Sequence, residues 1–471
     1  MTRRRRLLVL AICCMSLLIV GLDTTIMYVA LPSIGRSLHA SVSGLQWTVD
    51  AYTLVLASLL MLSGSMADRL GRARVFKTGL ALFTLGSLLC SLAPTLGFLI
   101  AFRMMQAIGG SMLNPVAMSI IRNVFTDARE RAQAIGLWGA TVGISLALGP
   151  VVGGALVQSA GWPSVFWINI PVGIVAFVLT MRFVPESRAP RARRLDTVGQ
   201  ALVIVLLASL TYGIIEAPSA GWLSAQSLGL FLLAALALGS LIAYEPRRVD
   251  PLIELRFFRS IPFSSASAIA VAAFAGLGGL LFLNTLYLQE VRGLSPLDAG
   301  LYTLPIAVMT LIFSPLSGRL VGGGHSRVPL VVGGLGVLVG GALLTQIGRT
   351  TPLASLLPAY IVFGIGFGMV NAPITATAVI GMPPEQAGVA AAVASTSRQV
   401  GQTLGVAVIG AIAAAGAFSV GPHFVANSHV GYGIVAGCGA VVVVLGLFST
   451  TERARVSATH AIKPVELPVT L

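Results

Sequence analysis

Apolar residues fill most of this chain in long runs, and polar residues gather in the short stretches between them. Fourteen runs stand out, near 7–31, 45–66, 76–94, 97–121, 133–157, 164–184, 197–217, 225–244, 262–289, 297–320, 327–347, 353–381, 387–416 and 430–449. Each is about 20 residues or longer, the length an α-helix needs to cross a hydrocarbon core of about 30 Å. The longest polar stretches, around 185–196, 245–260 and the last twenty residues, are too short for a folded soluble domain. The pattern therefore predicts an all-α membrane protein with 14 transmembrane helices. Composition agrees: 56% of the residues are hydrophobic, 10% are charged, and mean hydropathy is +0.91, far from a soluble protein of this size.

Net charge is +14, which invites a nucleic-acid reading until its placement is considered. Lys and Arg cluster in every second connection, at 3–6, 69–77, 122–131, 182–194, 247–259, 319–327 and from 453 onward, so that 25 of the 30 fall on one side. By the positive-inside rule that side is cytoplasmic and both termini lie there. The regular alternation supports an even number of spans and leaves no nucleic-acid partner to invoke. A cleaved signal peptide is disfavoured, because the first apolar run continues past Asp23 to Leu31 with no small-x-small site after a short core. The four cysteines sit inside spans without metal-ligand spacing and are expected to pack as small apolar residues.

The chain echoes itself. Leu-Ser-Gly at 62–64 returns at 316–318, and Ala51-Tyr52-Thr53-Leu54 matches Leu301-Tyr302-Thr303-Leu304. Asn114-Pro115 in span 4 returns as Asn371-Ala372-Pro373 in span 12, and Glu130 before span 5 as Glu385 before span 13. The matches keep their order at offsets of about 250–257 residues. Two six-span halves therefore flank an unpaired pair: a first bundle over 1–196, two additional helices over 197–245, a second bundle over 246–450 and a cytoplasmic tail over 451–471. Parallel halves with a substrate site at mid-depth between them are a transporter architecture. Gly at 53 positions and Pro at 24 suit helices that pack closely and bend.

Inside this apolar frame a few polar groups need a reason. Asp23 lies two-thirds of the way through span 1, where a carboxylate costs roughly 2.5–3.5 kcal/mol on insertion scales. Arg103 in span 4 falls at a similar depth in the outer half, which allows the two to interact; the alternative is that Arg103 snorkels to the outer headgroups. Asp50 sits near the outer start of span 2 and reads as interfacial, and Glu216 and Glu290 as rim residues ending spans 7 and 9. Between spans 2 and 3, GSMADRLGRARVF sets Asp68 among Arg69, Arg72 and Arg74, with Gly64 for close approach and Gly71 for a tight turn. In span 5, Gly149, Gly153 and Gly154 make a smooth face, and Pro150 removes a backbone donor.

GLDTTIMYVALP, GSMADRLGRARVF, Arg103 with Gln106, and GPVVGG together resemble the signature set of drug:proton antiporters of the major facilitator superfamily. WPSVFWINIPVGI, LSPLDAGLYTLP and STSRQVGQTLGVAVIG resemble its fourteen-span, QacA/EmrB-like subgroup. The resemblance covers nearly the whole chain. It implies the major facilitator fold, two six-helix bundles with two extra helices between them, in the cytoplasmic (inner) membrane. It implies export of small hydrophobic or amphiphilic organic compounds in exchange for protons, with Asp23 and Arg103 in proton coupling. It associates the Gly149-Pro150 run with export rather than uptake. The departures are Ala107 in place of the usual glycine, the loss of the acid from the second loop copy at 317–329, and the lack of a carboxylate in span 10. No acid stands at the counterpart of Asp23 near Phe282, so coupling is expected to rest on the first half.

An arginine beside a carboxylate disfavours its protonation and burial favours it, so a change in their separation alters proton affinity. Tyr52, Tyr302, Arg398 and Asp50 are candidates for the walls of a substrate cavity between the halves, and the carrier is expected to work as a monomer. No phosphate-cradling loop, cofactor, metal site or catalytic constellation is expected. The rival readings are a dedicated exporter of an endogenous metabolite and a proton-coupled uptake symporter of the same fold.

Overall fold

The computed structural model of the chain describes residues 1–189, 195–248, 250–382, 386–414 and 424–461. Glu385, part of the 185–196 linker and the tail beyond 461 lie outside the described residues. All regular structure among the described residues is helical. The elements are α1 Arg3–Leu38, α2 Val42–Leu70, α3 Arg72–Ser91, α4 Leu96–Ser111, α5 Asn114–Val124, α6 Ala128–Ala160, α7 Ser164–Trp167, α8 Asn169–Phe183, α9 Thr197–Ala220 and α10 Ala225–Tyr244. They continue with α11 Ile261–Leu286, α12 Pro296–Gly322, α13 Arg327–Leu344, α14 Leu356–Ala378, α15 Ala387–Ala414, α16 Phe424–Ser449 and α17 Glu452–Ala461.

Thirteen of the predicted spans are helices long and apolar enough to cross a membrane. The remaining one, 387–416, is the 28-residue α15, about 42 Å long at 1.5 Å per residue. It carries Arg398, Gln399, Gln402 and Thr403 within it, which lowers its hydropathy without shortening it. Span 4 is two helices, α4 and α5. They meet at Met112 and Leu113, whose N–H groups bond three residues back to Gly109 and Gly110. Pro115 explains the break, since it offers no N–H to Ser111 and its ring crowds that carbonyl. Span 6 likewise divides into α7 and α8 at Ile168.

The packing partners repeat down the chain. α1 lies against α6 and α8, α2 against α4, and α3 against α4 and α8. Eight spans later, α11 lies against α15 and α16, α12 against α14, and α13 against α14 and α16. The two sets meet along two seams, α2 with α15 and α6 with α12, which exchange places under the same offset. That is what two similar units packed about a twofold axis produce. Small residues let the backbones close: a Cβ on Gly336 of α13 would sit 2.6 Å from the Cα of Gly366 on α14. α11 is 72% buried across its apolar window and stands at the centre, whereas α10 is 22% buried and lies at the periphery against α9. α9 in turn covers the α2–α15 seam, with Gln200 donating to the Ser58 carbonyl at 2.6 Å.

Candidate functional site

A polar, enclosed cluster is built around Asp23 by residues of five helices, α1, α2, α3, α4 and α8. α1 carries Asp23 into the bundle, and α4 presents Arg103 and Gln106 from successive turns of one face. The α7–α8 break frees Asn169 at the first position of α8 to point at the same carboxylate. Arg103 donates through Nη1 to Asp23 Oδ2. Gln106 Nε2 and Asn169 Nδ2 each donate to Asp23 Oδ1 at 2.8 Å. Gln106 Nε2 also donates to Ser87 Oγ of α3 at 2.8 Å, and its Oε1 accepts from Arg103 at 2.7 Å. Arg103 Nε donates to the Thr48 carbonyl at 3.3 Å, and the guanidinium lies 4.2 Å from the centre of the Tyr52 ring. Both charged side chains are 1% exposed. Burial at that level is tolerable only because each charge is paired and hydrogen-bonded. Snorkelling of Arg103 to headgroups is therefore not what the structure shows.

Of the residues expected to line a substrate cavity, Tyr52 belongs to this cluster as the ring over Arg103. Asp50 is not at an interface with lipid headgroups: it is completely enclosed, and neither carboxylate oxygen has a hydrogen-bond partner. The enclosure comes from α15 across the seam. There Thr403 Oγ1 donates to Thr53 Oγ1 at 2.8 Å, and Gln46 Nε2 donates to the carbonyls of Val406 and Ala407 at 3.1 and 2.9 Å. Tyr302 is half-buried on α12 against the central apolar cluster. Arg398 is half-buried on α15, where Nη2 donates to Thr375 Oγ1 at 2.5 Å. Among the described residues no hydrogen bond, ion pair or ring contact joins Tyr302 or Arg398 to the Asp23 cluster.

The bonds between the first six and last six spans share one feature. Gln402 Nε2 donates to Tyr28 Oη at 3.2 Å, Gln289 Nε2 to the Val29 carbonyl at 3.0 Å, and Arg36 pairs with Glu290 at 3.1 Å. With the Thr53 and Gln46 contacts, all lie toward the face opposite the chain termini. Glu290 thus sits at the rim as expected, 28% exposed, while Glu216 accepts from Trp47 Nε1 at 3.0 Å where α9 covers α2. The glycine run of α6 belongs to the same closed face. A Cβ on Gly154 would meet the Pro296 carbonyl oxygen of α12 at 2.5 Å, and one on Gly300 would strike the carbonyl of Pro150. On its other side, a Cβ at Gly149 or Gly153 would press on Thr25 and Ile26 of α1.

The 64–76 loop is strapped from a distance. Asp68 accepts from Arg72 at 3.0 and 3.3 Å, one turn away, as the spacing suggested. No local pattern signals that the segment after α8 returns here. Glu186 accepts from Ala73 N at 3.1 Å and pairs with Arg74 at 3.8 Å, while Arg72 N donates to the Ser187 carbonyl at 2.9 Å. Gly71 has φ of 114°, a left-handed backbone that favours glycine, and a Cβ there would meet the Glu186 carboxylate at 2.5 Å, so the strap would have to shift. Arg69 is exposed, and Gly64 faces Pro115 at the start of α5, whose Cβ lies 4.0 Å from the position of an added Cβ.

Asn169 and Ser87 were not singled out by the sequence. Asn169 does stand in the otherwise apolar WINIPVGI stretch, where an amide two residues before a proline is the available signal. The residues so assembled can hold a negative charge against an arginine deep in the bundle, and they contain no nucleophile–base pair. No group of three or more potential metal ligands occurs among the described residues.

A family model described as Major Facilitator Superfamily matches residues 13–406. The multidrug resistance protein Stp of Mycobacterium tuberculosis is 38% identical over 412 residues, spanning 88% of this chain and 76% of its own. The tetracenomycin C resistance and export protein of Streptomyces glaucescens is 36% identical over 401 residues, 84% of this chain and 74% of its own. The crystal structure of a D-xylose-proton symporter shares the fold with a TM-score of 0.67 at 17% identity, covering 94% of this chain and 97% of that one.

Proposed function

The chain belongs to the major facilitator superfamily, and on that premise we propose that it exports hydrophobic or amphiphilic organic compounds in exchange for protons. It is a multi-pass membrane transporter and not an enzyme. The finer reading places it among the fourteen-span drug:proton antiporters, working as a monomer with both termini cytoplasmic. The observation that carries the reading is the Asp23–Arg103 pair, fully enclosed and held by the side-chain amides of Gln106 on α4 and Asn169 on α8. Relatives named for multidrug resistance and for export support the direction of transport.

In this account Asp23 takes the proton. The incoming proton removes the negative charge and with it the partner of Arg103, which is left to the Gln106 carbonyl, the Thr48 carbonyl and the Tyr52 ring. The first and last six spans, 1–196 and 246–450, then rock about the α2–α15 and α6–α12 seams. With cytoplasmic termini, the closed face described above is the outer one. The energy is adequate without ATP. One charge crossing 100 mV supplies about 2.3 kcal/mol and each pH unit about 1.4 kcal/mol, against about 1.4 kcal/mol for a tenfold substrate gradient.

Expressed in an efflux-deficient host, the protein is expected to raise the growth-inhibitory concentration of several hydrophobic compounds, and a proton uncoupler is expected to abolish the difference. In everted vesicles the flux should saturate with substrate and follow the pH gradient. Flux that does not saturate points to a channel, and flux indifferent to the uncoupler removes the proton from the account. A dedicated metabolite exporter is the second reading, favoured by the relative named for export of one compound, tetracenomycin C. Resistance confined to a single compound in the same panel would select it.

A further inference from the structure

Two arginines lie well inside spanning helices, and they are held in opposite ways. Arg103 is neutralised by Asp23. Arg398 has only neutral partners: Nη2 donates to Thr375 Oγ1 at 2.5 Å and to the Asn371 carbonyl at 3.3 Å, and Nη1 reaches Ser395 Oγ at 3.5 Å. Its Nε is buried with no partner. No ion pair to Arg398 exists among the described residues. The described acids between 262 and 450 are committed at the far end of the bundle: Glu290 to Arg36, and Asp298 to the cap of α12. Glu385 lies outside the described residues, thirteen positions earlier in the chain. A cation held at this depth by dipoles alone is expensive, and an anion arriving beside it recovers that cost.

The surroundings say what kind of anion. The Arg398 guanidinium carbon lies 5.9 Å from the centre of the half-buried Phe274 ring on α11. Phe274 meets Phe367 of α14 edge-on at 5.1 Å, and Phe367 lies parallel to Phe363 at 6.4 Å. A planar fork of donors beside a row of aromatic rings suits a planar, acidic molecule, whose oxygens the fork engages while its rings pack on Phe274. We propose that Arg398 is the anion-recognition point of the substrate path, and that the preferred cargo is an aromatic compound bearing a carboxylate or an ionised phenol. This rests on the export reading and names the substrate class within it. The charge balance also changes: one proton in and one anion out moves two charges, whereas one proton for one cation moves none.

The test is equilibrium dialysis of the full chain in lipid nanodiscs with three anthracenes that share one ring system and carry a negative, a neutral or a positive substituent: the 2-carboxylate, its amide and the trimethylammonium analogue. The carboxylate is expected to bind at least tenfold tighter than the other two. Arg398→Gln is expected to erase that preference, and Arg398→Lys to keep part of it, since a lysine retains the charge without the fork. Monodisperse elution of each variant checks its fold. Weaker binding of all three compounds by the same factor would mean that Arg398 only braces α14 against α15, and would overturn the proposal. So would a wild type that binds the carboxylate no better than the amide, or none of the three. Binding needs no proton gradient, so loss of uncoupler sensitivity with the charge preference intact sinks the coupling reading alone.

Discussion

Asp23→Asn is expected to lower the stability of the folded chain by about 3–5 kcal/mol, the usual cost of leaving one member of a buried ion pair uncompensated. Asparagine keeps an oxygen for Gln106 and Asn169, so shape and most hydrogen bonds survive. What is lost is the charge facing Arg103, whose side chain is 1% exposed. Arg103→Gln in the Asp23→Asn background should therefore recover much of the loss, because a neutral pair no longer strands a cation. Thermal midpoints of the four proteins in detergent give the cycle. Additive losses would mean that the two residues do not depend on each other. The magnitude bears on mechanism as well. Moving a two-state equilibrium from 1:99 to 99:1 takes about 5.5 kcal/mol, and 3–5 kcal/mol shifts one by roughly two to four powers of ten. Protonation of Asp23 is thus large enough to bias which face is closed.

Gly300→Val is expected to abolish transport while Gly318→Ala, on the same helix, leaves it near wild type. An added Cβ at Gly300 strikes the carbonyl of Pro150 with its carbon only 2.8 Å away, whereas nothing lies within 4 Å of a Cβ at Gly318. The atoms struck are backbone, so the side chain cannot turn aside and α6 must part from α12. Overpacking of this kind costs about 1–3 kcal/mol and sometimes more, and here it falls entirely on the conformation whose face away from the termini is closed. Substrate uptake by everted vesicles, compared at equal amounts of folded protein, measures it. Wild-type uptake by Gly300→Val would mean that the α6–α12 contact is not part of the working cycle.

Much of this was legible in the chain, because lipid leaves few choices. Apolar run length fixed where the helices would be, and the ordered matches between the halves anticipated the repeating partners. Asp23 and Arg103 declared themselves by the cost of their position, and comparable depth on helices running in opposite directions made a pairing reasonable. Other features arise from contacts that no local pattern encodes. Asp50 reads as interfacial from its place near the start of α2, yet α15, some 350 residues further along, closes over it. Glu186 follows span 6 as an ordinary linker acid but returns to brace the Gly71 turn. Asn169 and Ser87 are uncharged, so their presence in an apolar run costs little and attracts no notice until the fold aims them at Asp23 and Gln106. Arg398 was visible as a charge, and only its neutral partners and the row of phenylalanines reveal how it differs from Arg103.

The central claim is that Asp23 exchanges a proton for substrate, and the direct measurement is substrate-driven proton movement in proteoliposomes carrying a trapped pH indicator. With no initial pH gradient, substrate added to the side that carries the termini should release protons there from the wild-type protein, and release none from Asp23→Asn although that variant still binds substrate. Proton release that persists undiminished in Asp23→Asn would contradict the account.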